Sequence, residues 1–176
     1  MGIVLLDMAM SLDGFVSDQH GNALYPIDEL RNTEALDELI ETTGAVVMGT
    51  RAYDMAEGDF TEYEYQVPVF VLTHHVPEKA AKGLTFTFVT DGIESAVEQA
   101  KAAAGEMNVT VIGGANTAQQ CIRAGVLDEI QIRLMAVLLG EGLRLFEHLG
   151  TERIELEQTR VREFPTRTDI RSRVVQ

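Results

Sequence analysis

A single cysteine, Cys121, stands in 176 residues, so no intrachain disulfide can form and the chain suits a reducing, cytoplasmic compartment. Basic residues are also scarce: 14 Lys and Arg face 28 Asp and Glu, a formal net charge of -14. That balance argues against a nucleic-acid surface and against an anionic membrane, and any anionic ligand has to be held by local donors. No apolar run reaches the roughly 18 residues of a membrane-spanning helix, and no basic segment of the secretory kind precedes the first apolar stretch. His74 and His75 are adjacent, but His20 and His148 are remote and no carboxylate or thiol sits at ligand spacing, so no metal site is expected.

What is present is length for one domain, 1–176, with a sizeable core, organised around a strand, a turn and a helix. Residues 109–112 are a short β-branched run that stops at Gly113 and Gly114. A helical pattern follows at once over 115–123 and ends on Gly125. Two glycines at such a junction allow positive φ and the close approach of a ligand. The helix start adds unpaired N–H groups and the positive end of its dipole, which makes a phosphate the natural guest and a plain turn the alternative. Cys121, inside this helix, reads as a small buried apolar residue rather than a reactive thiol.

Residues 3–10 are apolar apart from Asp7, the pattern of a central strand covered on both faces. Ser11-Leu12-Asp13-Gly14 then opens a long polar loop running to Tyr25, a place where function resides, although Asp13-Gly14 alone also reads as a turn. A helix is predicted from Pro26 to near Gly44, capped by Asp28, with Leu30, Leu36, Leu39 and Ile40 on one face. Residues 45–48 form a second buried run, closed by Gly49 and followed by a helical stretch over 50–56. Residues 59–66, acidic and aromatic, read as a surface connection; ligand or partner contacts through Phe60, Tyr63 and Tyr65 are the alternative. A third buried strand over 67–73 ends at His74 and His75, a polar end suited to donating to an anion. Residues 84–89 are strand-like, and Thr90 or Asp91 is positioned to cap a helix through Ala104. Residues 126–139 alternate about Ile130, Ile132 and Leu134, and two amphipathic strands flank Pro165-Thr166. The pattern predicts an α/β fold: a mostly parallel central sheet, flanking helices and an antiparallel C-terminal hairpin.

Five stretches in this order resemble the dihydrofolate reductase-like superfamily. They are Ser11-Leu12-Asp13-Gly14, Val47-Met48-Gly49-Thr50-Arg51-Ala52-Tyr53, Val69-Phe70-Val71-Leu72-Thr73, Val111-Ile112-Gly113-Gly114-Ala115-Asn116, and Gly125-Val126-Leu127-Asp128-Glu129 with Leu138-Leu139-Gly140-Glu141-Gly142. Within it they are similar to the branch containing the C-terminal reductase domain of the bifunctional riboflavin-biosynthesis deaminase-reductase, and the likeness spans nearly the whole chain. The resemblance implies a dihydrofolate reductase-like fold whose strand-end glycine loops bind NADPH. Carried over by position, Gly49, Thr50 and Arg51 meet the adenine-side phosphates, and Arg51 offers a charged donor to a 2′-phosphate. Thr73 and His74 flank the adenosine ribose, and Gly113, Gly114, Ala115, Asn116 and Thr117 hold the pyrophosphate at the helix start. Ala9 and the loop from Ser11 to Gly14 lie beside the nicotinamide.

The chain departs from the pattern in three ways. Ile112 stands where the riboflavin reductase carries a glutamate before its glycine pair, as in folate reductases, and Ala52 replaces the threonine of a Gly-x-x-Thr-Tyr signature. No Cys-x-x-Cys or His-x-Glu pattern of a zinc deaminase is present, so only the reduction is implied. The candidate acids for proton transfer are Asp13, Glu34 and Asp37; for the last two a solvated helix face is the alternative. The expected activity is NADPH-dependent reduction of a pterin-like or aminopyrimidine-like heterocycle, similar to 5-amino-6-(5-phosphoribosylamino)uracil reduction. The alternatives are a dihydrofolate reductase and a catalytically silent NADPH-binding domain. The C-terminal strands and the apolar stretch 132–139 suggest a homodimer.

Overall fold

In the computed structural model, which describes residues 1–24 and 34–175, the apolar N-terminal run becomes β1 (Val4–Ser11) in the middle of an eight-stranded sheet. After β2 (Phe15–Ser17) come α1 (Glu34–Thr42), β3 (Thr43–Gly49), α2 (Thr50–Asp54), β4 (Val69–Leu72), β5 (Phe86–Val89) and α3 (Ile93–Ala104). Then follow β6 (Asn108–Val111), α4 (Ala115–Arg123), β7 (Glu129–Met135), β8 (Leu143–Arg144), β9 (Leu156–Phe164) and β10 (Arg167–Val174). The sheet order is β5-β4-β3-β6-β1-β7-β10-β9, and β2 pairs with β8 apart from it. Pairing is parallel from β5 to β7 and antiparallel where β10 joins β7 and β9.

Two apolar layers hold the sheet. On one face α3 and α4 bury Ala96, Val97, Ala100, Ala118 and Cys121 against Leu6, Val47 and Val111. On the other, Leu36 and Leu39 of α1 pack with Leu5, Val46, Met48, Phe60 and Tyr65. Strands covered on both faces need continuous apolar runs, which is why β1, β3 and β4 are so uniform in sequence. The helix over 115–123 has the predicted bounds.

Several local expectations are corrected. The stretch 59–66 is not merely a surface connection, because Phe60 is 2% exposed and Tyr65 3% exposed. Its acidic residues Asp59 and Glu62 face water while its rings turn inward, a split that composition hides. No side chain caps α3; its N-cap is Gly92 at φ 111, rather than Thr90 or Asp91. The strand expected over 126–139 shortens to β7, and β2 was hidden in the polar loop because its three residues pair with only two in β8. Pro26, Asp28 and Leu30 of the predicted first helix lie outside the described residues.

Cys121 is fully buried, and burial pushes its thiol up to about 12. A thiol so protonated and enclosed is a poor nucleophile. A disulfide reagent applied near neutral pH should therefore label the native protein far more slowly than the urea-unfolded chain; equal rates would place the thiol at the surface.

Candidate functional site

Parallel β1, β3 and β6 end on the same edge of the sheet, and two clefts open there side by side. The first, of about 580 Å³, is edged by glycine and gathers threonine, histidine, asparagine, glutamine and arginine side chains. Gly49, Thr50 and Arg51 line it from the junction of β3 and α2, and Thr73 and His74 from beyond β4. Gly114, Ala115, Asn116 and Thr117 line it from the start of α4. Gly113 is buried behind them with its carbonyl accepting the Gly49 N–H at 2.7 Å. Ala9 lines the second cleft instead.

Local geometry explains the residue types. A Cβ at Gly49 would run into the Thr117 hydroxyl, so β3 and α4 approach this closely only with glycine there. Gly113 sits at φ 105, in the region glycine favours, and a cis peptide joins it to Gly114. Gly114 is the N-cap of α4 and no side chain caps that helix, so its first-turn amides and positive dipole end remain available. The Thr73 hydroxyl donates to the His75 carbonyl at 2.9 Å and accepts the His75 N–H at 3.1 Å, fixing the end of β4. The Arg51 guanidinium passes over Gly21, where a Cβ would meet it at 2.5 Å. No carboxylate among the described residues pairs with Arg51, which leaves its charge for a ligand.

The second cleft, of about 420 Å³, has an apolar wall of Leu36, Met48, Ala52 and Ile112. Its floor is charged. Asp7 is 6% exposed and Arg133 9% exposed; the Arg133 Nη2 donates to Asp7 Oδ2 at 2.5 Å, and the Gln131 Nε2 donates to Oδ1 at 3.0 Å. The parallel register opposes Asp7 to Gln131 and Ala9 to Arg133, so these four side chains share one face. Burial presses on Arg133, but the Asp7 carboxylate, together with Tyr65 and Asp169, outweighs it and holds the guanidinium charged. Tyr63 and Tyr65 close the cleft; both hydroxyls are buried with no hydrogen-bond partner among the described residues. Burial raises both phenols, so they stay neutral O–H groups.

The acids named from the sequence lie elsewhere. Asp13 accepts the Ser11 hydroxyl at 2.6 Å and the N–H groups of Leu139 and Gly140 at 3.1 and 2.7 Å. The Ser11 hydrogen bond, with those amides, holds its carboxyl at about 2. A carboxylate so engaged ties the loop after β1 to the segment before β8. Glu34 and Asp37 are exposed on α1, and neither lines a cleft, whereas Leu36 between them does. Their neighbour Glu38 is drawn to Arg160 and Arg162 at 2.8 Å each. Among the described residues, no group of three His, Cys, Asp or Glu side chains is placed to hold a metal ion.

The sequence reading did not assemble Asp7, Arg133, Tyr63 and Tyr65. Its one available signal was Asp7, the lone charge in an otherwise apolar central strand. Arg133 lies between Ile132 and Leu134, where alternation in an interior strand turns it to the opposite sheet face from them.

Comparison with known proteins agrees with this geometry. The uncharacterized protein YyaP of Bacillus subtilis (strain 168) is 26% identical over 172 residues, covering 92% of this chain and 88% of that one. A Shewanella sp. PV-4 protein provisionally ascribed to riboflavin biosynthesis superposes with a TM-score of 0.77 at 23% identity, covering 99% of both chains. A dihydrofolate reductase from Enterococcus faecalis, complexed with NADP(H), has a TM-score of 0.63 at 16% identity, over 99% of this chain and 98% of that one. These likenesses show a dihydrofolate reductase-like α/β fold. Residues 3–170 match the RibD C-terminal domain, and the chain belongs to that family.

Proposed function

We propose that the protein is an NADPH-dependent reductase of a pterin-like or aminopyrimidine-like heterocycle. The observation that carries this reading is the contact between the two clefts: Met48 and Gly49, Ala52 and Tyr53, and Ile112 and Gly114 fall alternately on the apolar and the polar side. A dinucleotide held along the polar cleft would bring its reactive end to Ala9, at the mouth of the apolar one. The polar cleft suits such a cofactor, since it combines an uncapped helix start, an unpaired Arg51 and a Gly114 whose missing Cβ would meet nothing within 4 Å. When bound, the cofactor supplies the hydride, and the protein supplies position and electrostatics.

In this reading the α4 start and Asn116 hold the pyrophosphate, Arg51 meets the 2′-phosphate, and Thr73 and His74 border the ribose. The apolar wall excludes water from the ring, and the Asp7–Arg133 floor orients it. Titration with NADPH and NADH, followed by nicotinamide fluorescence, tests the cofactor half. Arg51→Ala should weaken NADPH about tenfold or more and leave NADH nearly unchanged, as expected for one charge-assisted contact. No binding of either nucleotide would remove the reductase.

A catalytically silent NADPH-binding domain is the second reading, favoured by Glu34 and Asp37 lining neither cleft. NADPH binding without turnover on any heterocycle would select it. Failure to reduce dihydrofolate, alongside turnover of another ring, would exclude a folate reductase proper.

The same proposal takes residues 1–176 as one domain acting in the cytoplasm as a homodimer. The edge strand β9 exposes Leu156 and Val161, with Ile154 and Val175 beside them, and such a row is a natural interface. Sedimentation should give twice the 19.4 kDa chain mass, and a monomer at micromolar concentration would remove this claim.

A further inference from the structure

The substrate side of the site, as read above, has a charge pattern that narrows what it takes. Arg133 is the one cation among the described residues lining the apolar cleft, and Asp7 neutralises it. Asp59 at the rim is matched by Lys82 at 2.9 Å, whereas no ion pair among the described residues neutralises Glu62 or Glu64. Among the described residues the lining therefore carries no free positive charge and two free negative ones. Among these described residues a phosphate ester would meet repulsion and no free cation to offset its desolvation.

The polar atoms that remain are suited to a neutral ring. Tyr63 and Tyr65 each offer one donor and one acceptor, and both hydroxyls are buried without a partner among the described residues. Tyr63, Tyr65, Asp7 and Arg133 all line this cleft, so the four groups border one space. A buried hydroxyl left unpaired costs free energy, and a ligand edge that pairs it recovers that cost.

We propose that the apolar cleft takes an uncharged, non-phosphorylated heterocycle, whose mixed donor and acceptor edge is bound by the Tyr63 and Tyr65 hydroxyls and the Asp7–Arg133 pair. Its acidic rim rejects phosphorylated counterparts. The inference rests on the reductase reading for its choice of cleft, and it departs from a phosphoribosyl-bearing substrate.

Calorimetry with two matched pairs tests it: 5-amino-6-ribosylaminouracil and 6-hydroxymethylpterin, each against its own phosphate ester, without dinucleotide and again with NADP+. At least one neutral member should bind tenfold or more tightly than its ester. Tyr65→Phe should weaken that binding about tenfold with an unchanged or higher melting temperature, because the residue it alters has no partner to lose; a purely structural tyrosine would lower the melting temperature. Equal or tighter binding of the esters, binding of none of the four, or unchanged binding by Tyr65→Phe would overturn the inference. A failed NADP+ titration would remove the reductase reading instead, while the ring comparison made without dinucleotide would still decide this point.

Discussion

Replacing Arg133 by Ala should lower the free energy of unfolding by about 3–5 kcal/mol, the cost of leaving one member of a buried pair alone. Typical domains have only about 5–15 kcal/mol in total, so the variant should be close to unfolding at physiological temperature. The reasoning depends on burial: both partners are nearly inaccessible, and after the substitution Asp7 keeps only the amide of Gln131. The damage should extend to β10, since Arg133 lies opposite Asp169, whose carboxyl burial raises and whose own partner is Arg167 at 2.9 Å. Urea unfolding measures the loss as a shifted midpoint at constant slope. A double substitution, Asp7→Leu with Arg133→Met, sharpens the test. Buried ion pairs are often no better than well-packed apolar residues of similar size, so the double variant should recover most or all of the lost stability. It should nevertheless lose heterocycle binding, because the polar floor is gone. A loss below about 1 kcal/mol for Arg133→Ala, the range of exposed pairs, would mean that water reaches this floor.

The same pair shows where sequence reading stops. Strands β1, β3 and β4 and helix α4 were legible because burial on both faces, or on one stripe, imposes a periodicity that local composition records. Gly49, Gly113 and Gly114 were legible as a class because strand-to-helix turns on one sheet edge demand small residues, and parallel topology then brings Gly49 and Gly114 to one cleft with Gly113 buried behind them. Asp7 and Arg133 meet only through the register of β1 on β7, and their numbers lie 126 residues apart. No local pattern holds that pairing. Glu34 and Asp37 failed to reach a cleft for a related reason: on an amphipathic helix a rotation of one residue exchanges a buried acid for a solvated one, and here Leu36 takes the inward position. The stretch 59–66 misled through its charge, since the acidic residues Asp59 and Glu62 take exposed positions while Phe60 and Tyr65 are buried.

Those rings carry the other large effect. Phe60→Ala should cost about 3–5 kcal/mol, as the removal of a fully buried aromatic side chain does when its surroundings collapse only partly. Phe60 lies at 5.7 Å from Tyr53, 5.2 Å from Tyr63 and 5.0 Å from Phe86, so three neighbours lose contact at once. Two of them border the clefts: Tyr53 lines the polar one and also accepts the Ala81 N–H at 2.7 Å, while Tyr63 lines the apolar one. Phe60 is thus part of the partition between the two clefts, and its removal should disturb both, whereas Arg51→Ala acts on one. Phe60→Leu, which keeps most of the volume, should cost markedly less. Val76→Ala, at a position 59% exposed, should change stability by no more than about 0.5 kcal/mol. Thermal melts of the three variants, each with and without NADPH, separate the possibilities. If Phe60→Ala behaved like Val76→Ala, the stretch 59–66 would be the surface connection that its composition suggests, and the wall between the two clefts would have to be held by β3 and α2 alone.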